Sequence, residues 1–442
     1  MRRIFPSFAY SAAPRAGCWW DHTCDLPRFS ELTEDHSCDV AIIGGGFTGV
    51  SAALHLASAG VKATVLEMNT LGWGASGRNG GFCCLGGSKA SDARLDATHG
   101  RGARLEYRSA EAAAVHLVEK LLQTHQIDVD RHSNGETALA HRERDVAALA
   151  RSVAGIQENY GVEPQLHSRS DLAQLGFGGP FFGGMSIPLG FGLNPRKYLG
   201  GLIRAASING AVFFENTTAG KIERRVAGGY QITTAKGTVT AEQVIVATNG
   251  YSSETIPEWL AGRYMPTQSS VMVTPPLSDA DLDAVGWTSM QMSYDTRNLV
   301  HYFRLMPDRR FLFGMRGGLL SSPGAEASAH RRLRRDFENM FPQWRHVPSD
   351  HRWSGLVCLA RNLTPFVGPI PRQPGLWAGM CYHGNGVAMG TLSGAILAQL
   401  VQGKQPEHYP KVMQGQMKRF PFGAARRGLM PFVYAGLKIA DL

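Results

Sequence analysis

An α/β fold is predicted from three observations. Between Cys38 and Glu67 an apolar run, Val40 to Ile43, meets the turn Gly44-Gly45-Gly46-Phe47-Thr48-Gly49, then helix-forming Ser51 to Ala59, then a second apolar run, Ala63 to Leu66. Strand, glycine turn, helix, strand is the repeating unit of a parallel sheet. Near the other end, Trp377 to Met380 reads as a strand and Val387 to Val401 as a helix, joined by Tyr382-His383-Gly384-Asn385-Gly386. Between these two units the chain twice runs off into strand-like segments and twice returns. The prediction is therefore a Rossmann-like domain interrupted by a discontinuous antiparallel-sheet domain of α+β type.

Taken in order, residues 1–36 are rich in Pro, aromatic and polar types without periodicity, and read as an arm laid over the surface. Residues 37–130, 190–262 and 352–405 make the parallel-sheet domain, 131–189 and 263–351 the second domain, and 406–442 a C-terminal helical segment. Ala103 to Gln126 is a helix with Leu117, Leu121 and Leu122 on its apolar stripe. Gly135 to Ala140 is a strand, Val146 to Tyr160 a helix, and Met185 to Pro188 a crossing strand. Asn194-Pro195 supplies an N-cap and a first-turn proline, so a helix starts there and stops at Asn209-Gly210. Strands follow at Ala211 to Phe214, Lys221 to Arg225, Tyr230 to Thr234 and Gln243 to Ala247. Met265 to Pro275 opens the second excursion, Leu299 to Arg304 and Phe311 to Arg316 pair across the turn Met306-Pro307-Asp308, and Arg331 to Met340 is helical. The terminal stretch from Arg419 is expected to dock on the protein's own surface.

Each glycine of the first turn has a separate task. Gly44 makes the tight turn, Gly46 lets the backbone approach a pyrophosphate, and Gly49 lets helix and strand pack closely. The helix amides from Phe47 and Thr48 onward then face the phosphates with the positive end of the helix dipole behind them. Glu67, 18 residues past Gly49, stands where a carboxylate accepts hydrogen bonds from a ribose diol, with Met68 beside it.

The dinucleotide is read as FAD. Immediately after the ribose-binding acid comes a second glycine-rich loop, Leu71 to Gly81, with five glycines in eleven residues. A nicotinamide enzyme proceeds from that acid into another helix, whereas a flavin needs a loop to cover its ribityl chain and ring edge. Trp73, Gly74, Ala75, Ser76, Arg78, Asn79, Gly80 and Gly81 are the expected contacts. The glycine turn before Val387 is expected to aim helix amides at the flavin pyrimidine oxygen, where the reduced ring carries negative charge.

Together GGGFTGVSAALHLA, LGWGASGRNGG and CYHGNGVAMGTLSGAILA (381–398) resemble the FAD-dependent D-amino-acid oxidase, glycine oxidase and sarcosine oxidase superfamily, most of all its γ-glutamylputrescine oxidase-like branch. The resemblance covers nearly the whole chain and is specific for fold and cofactor, less so for substrate. It implies further FAD contacts at Ala219, at Ala247 and Thr248 in VIVATNGY, and at His383, Gly384, Asn385, Gly386 and Val387. It implies oxidation of an amine or amino acid by hydride transfer to flavin N5, with O2 or another electron acceptor. Sarcosine-oxidising relatives carry a lysine shortly after the last turn where this chain has Ala388, which leaves charge compensation to the backbone. Cys358 lies near the position where some of those relatives attach flavin; noncovalent FAD is the expectation for this branch.

His383 is the candidate catalytic residue beside the flavin ring, and Tyr302 and Arg304, on one strand face by alternation, are candidates for lining the substrate chamber, Arg304 as a carboxylate fork. Two other readings stay open: a dehydrogenase passing electrons to a quinone or protein, and a flavin-binding regulatory or RNA-associated protein without turnover. A pyridine-nucleotide reductase is disfavoured, since only one dinucleotide fingerprint is present and no CxxC relay accompanies it.

With 442 residues, 43% hydrophobic and 18% charged, the chain has ample material for a core. No apolar run approaches the roughly 18 residues that span a bilayer, and no metal site is expected. Pro6 and Pro14 break the N-terminal segment, so it is read as an arm rather than a signal, and the protein as cytoplasmic. Seven cysteines, odd in number, suit reduced thiols. The charge of +9 is dispersed; the cluster HRRLRR at 330–335 alternates with acids as a solvated helix face does, so no nucleic-acid partner is expected. The sequence leaves the oligomeric state open.

Overall fold

The computed structural model describes residues 1–441 and contains two eight-stranded sheets. The first runs Phe366–Pro369, Leu376–Met380, Thr238–Val246, His36–Ile43, Ala63–Leu66, Val212–Phe214, with Lys221–Arg224 and Tyr230–Thr233 attached through Thr238–Val246. From Leu376–Met380 to Val212–Phe214 all pairs are parallel. The second half of the strand His36–Ile43, Val40 to Ile43, is apolar without interruption because both its faces are covered there. Val40 and Ile42 pack on one side with Val50, Leu54 and the buried helix Ala388–Val401, while Ala41 and Ile43 pack on the other with Val244 and Val246.

The second sheet runs His351–Ala360, Tyr264–Pro276, Arg310–Arg316, His301–Leu305, Met292–Asp295, Glu136–Leu139, Gly183–Ile187, Gln165–Ser168. Its pairs are antiparallel with one exception: Met292–Asp295 lies parallel to Glu136–Leu139. The two strands come from the two separate excursions, so no hairpin obliges them to run oppositely. One face buries an aromatic cluster of Trp287, Phe303, Phe311, Phe337, Phe341 and Trp344.

Three elements differ from the sequence expectation. The helix read at Arg331 to Met340 starts earlier and spans Pro323–Met340, because Ser322 accepts from the Ala325 amide and Pro323 sits at the first helical position. The strand read from Gln243 begins at Thr238. The N-terminal arm is a packed element rather than a surface drape: Phe5, Tyr10, Cys18 and Trp20 are all buried. Trp20 donates its indole N–H to the Asn79 carbonyl at 2.8 Å, and Arg15 bonds the carbonyls of Gly72 and Trp73, so the arm clamps the second glycine loop from outside. Polar atoms in the arm have backbone partners in that loop, which periodicity cannot reveal.

No helix among the described residues is long and apolar enough to cross a membrane.

Candidate active site

One cavity of about 970 Å³ runs from the C-terminal edge of the parallel sheet into the space beneath the second sheet. Its inner end is built by the first glycine turn. The helix Phe47–Ala57 has Gly46 at its N-cap and no capping side chain, so the first-turn amides of Thr48 and Gly49 lack intrahelical acceptors. Glu67, at the end of the second strand, accepts from the Gly45 amide at 2.8 Å through one oxygen and from the Asn69 amide at 3.0 Å through the other. Burial pushes its carboxyl upward from the ordinary value, and those backbone donors oppose the rise. Ser76 of the second loop folds onto the turn, its Oγ accepting from the Phe47 amide at 2.9 Å. Met68, Trp73, Gly74, Ala75, Asn79 and Gly80 continue the wall, and Ala219, Ala247 and Thr248, in the loops beyond the strands Val212–Phe214 and Thr238–Val246, line the same cavity.

The donors here fit a dinucleotide carrying phosphates and a polar ring system. Arg78 is stacked over Trp73 at 4.2 Å and donates from Nε to the Trp73 carbonyl, yet its Nη2 is buried without a protein partner among the described residues, as is the side-chain Nδ2 of Asn69. Gly384, Asn385, Gly386 and Val387 reach the same cavity at the start of the helix Ala388–Val401. That helix packs tightly on the first: a Cβ at Gly394 would collide with the Thr48 carbonyl, and Tyr382 bonds Thr48 Oγ1 at 2.8 Å. The two helix starts are thereby held side by side as one rigid unit in the cavity wall.

At the outer end the cavity is a chamber walled by Tyr294, Tyr302, Lys89, Glu136, Arg316 and, from the C-terminal helix Met430–Ala440, Tyr434. Tyr302 lies across Gly314, its partner on the next strand, where any side chain would strike the tyrosine ring. Its hydroxyl bonds Ser269 Oγ at 2.9 Å. Arg316, next along the same face, donates to the His383 carbonyl at 2.7 Å and occupies the space a Cβ at Gly384 would need. Lys89 lines the chamber while still reached by solvent, and its ammonium is pushed down to about 8, first by the Arg316 guanidinium and then by partial desolvation. Among the described residues no carboxylate lies within ion-pair distance of either cation.

Several site residues sit otherwise than the sequence suggested. Arg304 does share the face of Tyr302, but two residues deeper, where the strand passes under the glycine loop. It is fully buried outside the cavity lining, and its guanidinium donates to the carbonyls of Gly81 and Leu193. Desolvation lowers it to about 9. Gly81 is likewise turned away from the cavity toward Leu193 and Arg304, and Gly49 lies beneath the turn against the Gly44 carbonyl. His383 borders the cavity, yet Nδ1 is bonded to the Gly87 carbonyl at 2.8 Å and Nε2 to the Ala360 amide at 3.1 Å. With both nitrogens engaged and burial lowering it to about 4, the ring is a neutral staple with no nitrogen free to exchange a proton. Cys358 lines the cavity with its Sγ 3.4 Å from that of Cys381, and Cys84 lines it as well.

Arg316, Lys89, Glu136 and Tyr294 were missed. The signal for Arg316 was present: alternation continued across the hairpin from Tyr302 reaches Gly314 and then Arg316. For Glu136 the signal was an acid inside a strand whose other members are all apolar or small. Arg304 also yields a test. Arg304→Met is expected to leave binding of carboxylate inhibitors unchanged while destabilising the protein by about 1–3 kcal/mol, because the buried Leu193 carbonyl loses its donor and the Gly81 carbonyl keeps only the Leu193 amide; thermal melting and inhibitor titration check both halves.

A dinucleotide cradle opening onto a charged chamber defines the chain as a cofactor-dependent oxidoreductase. It belongs to the FAD dependent oxidoreductase (DAO) family, whose model matches residues 39–400, and its cofactor is FAD. It is 30% identical to the probable oxidoreductase OrdL of Rhizobium meliloti, over 94% of this chain and 95% of that one. It is 29% identical to the gamma-glutamylputrescine oxidoreductase of Escherichia coli, over 92% and 93%. Among solved structures, glycine oxidase from Geobacillus kaustophilus superimposes with a TM-score of 0.70 at 21% identity, covering 87% of this chain and all of that one.

Proposed function

We propose that the protein oxidises the C–N bond of an amine that also carries a carboxylate, an amino acid or a γ-glutamylated amine such as γ-glutamylputrescine. The products are an imine, hydrolysed to a carbonyl compound with release of ammonia or amine, and hydrogen peroxide. The observation that carries this reading is the pair Lys89 and Arg316, two cations without a carboxylate partner among the described residues, in a chamber continuous with the FAD cradle. An anion is what completes such a site, since two positive charges side by side repel. The likeness to the E. coli gamma-glutamylputrescine oxidoreductase supports the amine, and the relatives named glycine oxidase support O2 as acceptor.

FAD, when bound, supplies the hydride acceptor. The chain supplies position and charge. Arg316, fixed at one end by the His383 carbonyl, offers its remaining donors as a fork for a carboxylate. Tyr302 and Tyr434 limit the chamber laterally and exclude water. In this reading the parallel-sheet segments form the FAD-binding domain and the second sheet the substrate domain. Seven free cysteines support a reducing, cytoplasmic setting.

Screening polyamines, γ-glutamylated amines, N-methyl amino acids and cyclic imino acids for anaerobic bleaching of the bound flavin tests the reading. Bleaching by a carboxylated amine, with peroxide formed in air at the rate of amine consumption, is the expected result. Bleaching without peroxide would indicate a quinone or protein acceptor, and a flavin that no amine bleaches would overturn the reading.

A further inference from the structure

A second cavity, of about 400 Å³, lies behind the chamber. Leu85, Gly86 and Glu136 line both spaces, so they form the partition between them. The far wall is Ser152, Gly155, Asn159 and Tyr160 of the helix Glu143–Tyr160, with Arg108 and Asp92 toward the surface. Arg108 and Asn159 both bond Asp92, which holds the outer rim polar.

Of the partition residues only Glu136 can carry a proton. It is 5% exposed, and its Oε1 accepts from the Tyr294 hydroxyl at 3.2 Å. The titratable groups facing it are Cys84 and Lys89 from the segment after the flavin loop, Glu111 from the helix Ala103–Thr124, Tyr160 from the helix Glu143–Tyr160, and Tyr294 from the adjacent strand. Beyond it, Tyr160 donates to Glu111 at 2.7 Å and Arg108 to Glu111 at 2.8 Å. Polar groups therefore line a path from the chamber to the outer rim, and apolar Leu85 and Ile187 border it.

We propose that Glu136 is the base that takes the ammonium proton of the bound amine, and that the outer cavity is the route by which this proton leaves. The inference rests on the amine-oxidising reading above. In the step itself the N–H bond breaks and an O–H bond forms on the Glu136 carboxylate. The electron pair stays on nitrogen, which becomes the neutral amine that hydride loss requires. Glu136 then gives the proton to water in the outer cavity and returns to carboxylate, so nothing is oxidised or reduced. Burial pushes the Glu136 carboxyl up to about 7, while Tyr294 and Cys84 oppose the rise, so both protonation states are populated near neutrality.

Two measurements on the holoenzyme test this. Infrared difference spectra between mildly acidic and mildly alkaline solution should contain a protonated-carboxyl band that titrates near neutrality and is absent from Glu136→Gln. Its absence from the wild type would overturn the inference without touching the amine reading. Stopped-flow reduction with an amine found by the panel should then be slower in Glu136→Gln by about 10²- to 10³-fold at neutral pH, since an alkylammonium of pKa about 10 is neutral in only about one molecule per thousand. The loss should disappear as pH rises past the amine's own pKa, because substrate then arrives neutral; a merely structural role would give no such rescue. Gly155→Phe, where a Cβ meets only open space, fills the outer cavity from its far wall. It should give a smaller, equally pH-rescued loss, and an unchanged rate there would remove the outer cavity from the route. A panel in which no amine bleaches the flavin fails the amine reading, and the infrared result then stands alone.

Discussion

Gly49→Ala is expected to purify folded but colourless, with FAD affinity reduced about 10³- to 10⁴-fold. A Cβ at residue 49 would collide with the Gly44 carbonyl oxygen and come within 3.2 Å of the Ile42 side chain. Neither neighbour can yield: Gly44 is fixed by the hydrogen bond its amide donates to the Leu66 carbonyl and by the Ala247 carbonyl lying 2.8 Å from its own Cβ position, and Ile42 is fully buried in the central strand. The helix must therefore back away from the strand, which carries the Thr48 and Gly49 amides off the pyrophosphate. Two hydrogen bonds to a charged group at about 1.5–3 kcal/mol each, plus part of the dipole interaction, amount to roughly 4–6 kcal/mol. Gly49 belongs to the buried layer and Gly44 is half-buried above it, so some stability is lost as well; circular dichroism separates folding from binding, and fluorimetric titration of the apoprotein with FAD reads the affinity. A variant that emerges yellow at wild-type stoichiometry would show that the pyrophosphate does not depend on this helix start.

The contrast between Gly49 and Arg304 explains how much of the molecule could be read before folding. The cofactor half is built from local units, a strand, a turn and a helix contiguous in the chain, and each glycine position is dictated by backbone geometry within a few residues. Gly44, Gly46, Gly49 and Glu67 therefore announce themselves, and the parallel sheet follows from them. The chamber is assembled from segments far apart in the chain: Lys89, Glu136, Tyr294, Arg316 and Tyr434 meet only after the second sheet forms. Alternation correctly put Tyr302 and Arg304 on one face, but it carries no information about depth. The Gly81 loop crossing that face two residues further along turned Arg304 into an internal brace. His383 shows the same limit from the other side. Its position beside the cavity was legible, whereas the two backbone groups that occupy its nitrogens come from Gly87 and Ala360, which only the tertiary fold brings there.

Arg316→Met should lower kcat/KM for a carboxylated amine about 10²- to 10³-fold, the loss expected when a desolvated, charge-assisted fork of roughly 3–4 kcal/mol is removed. Met keeps most of the aliphatic volume, so the chamber is not emptied. Because Arg316 also donates to the His383 carbonyl next to Gly384, the flavin spectrum and FAD affinity must be shown unchanged before the loss is assigned to substrate. The discriminating comparison is the same amine without its carboxylate: wild type and Arg316→Met should oxidise it at similar, low efficiency. Lys89 supplies a second signature with a definite sign. In the wild type its ammonium, held down to about 8 chiefly by Arg316, loses charge as pH rises through that value, so KM for the carboxylated substrate should climb there. With the guanidinium gone its main depressing influence is gone too. Lys89 then stays charged to higher pH, and the climb in KM should move upward with it. A profile that stays in place in Arg316→Met would mean that the two cations do not act on one anion, and the carboxylate would have to be sought elsewhere in the chamber.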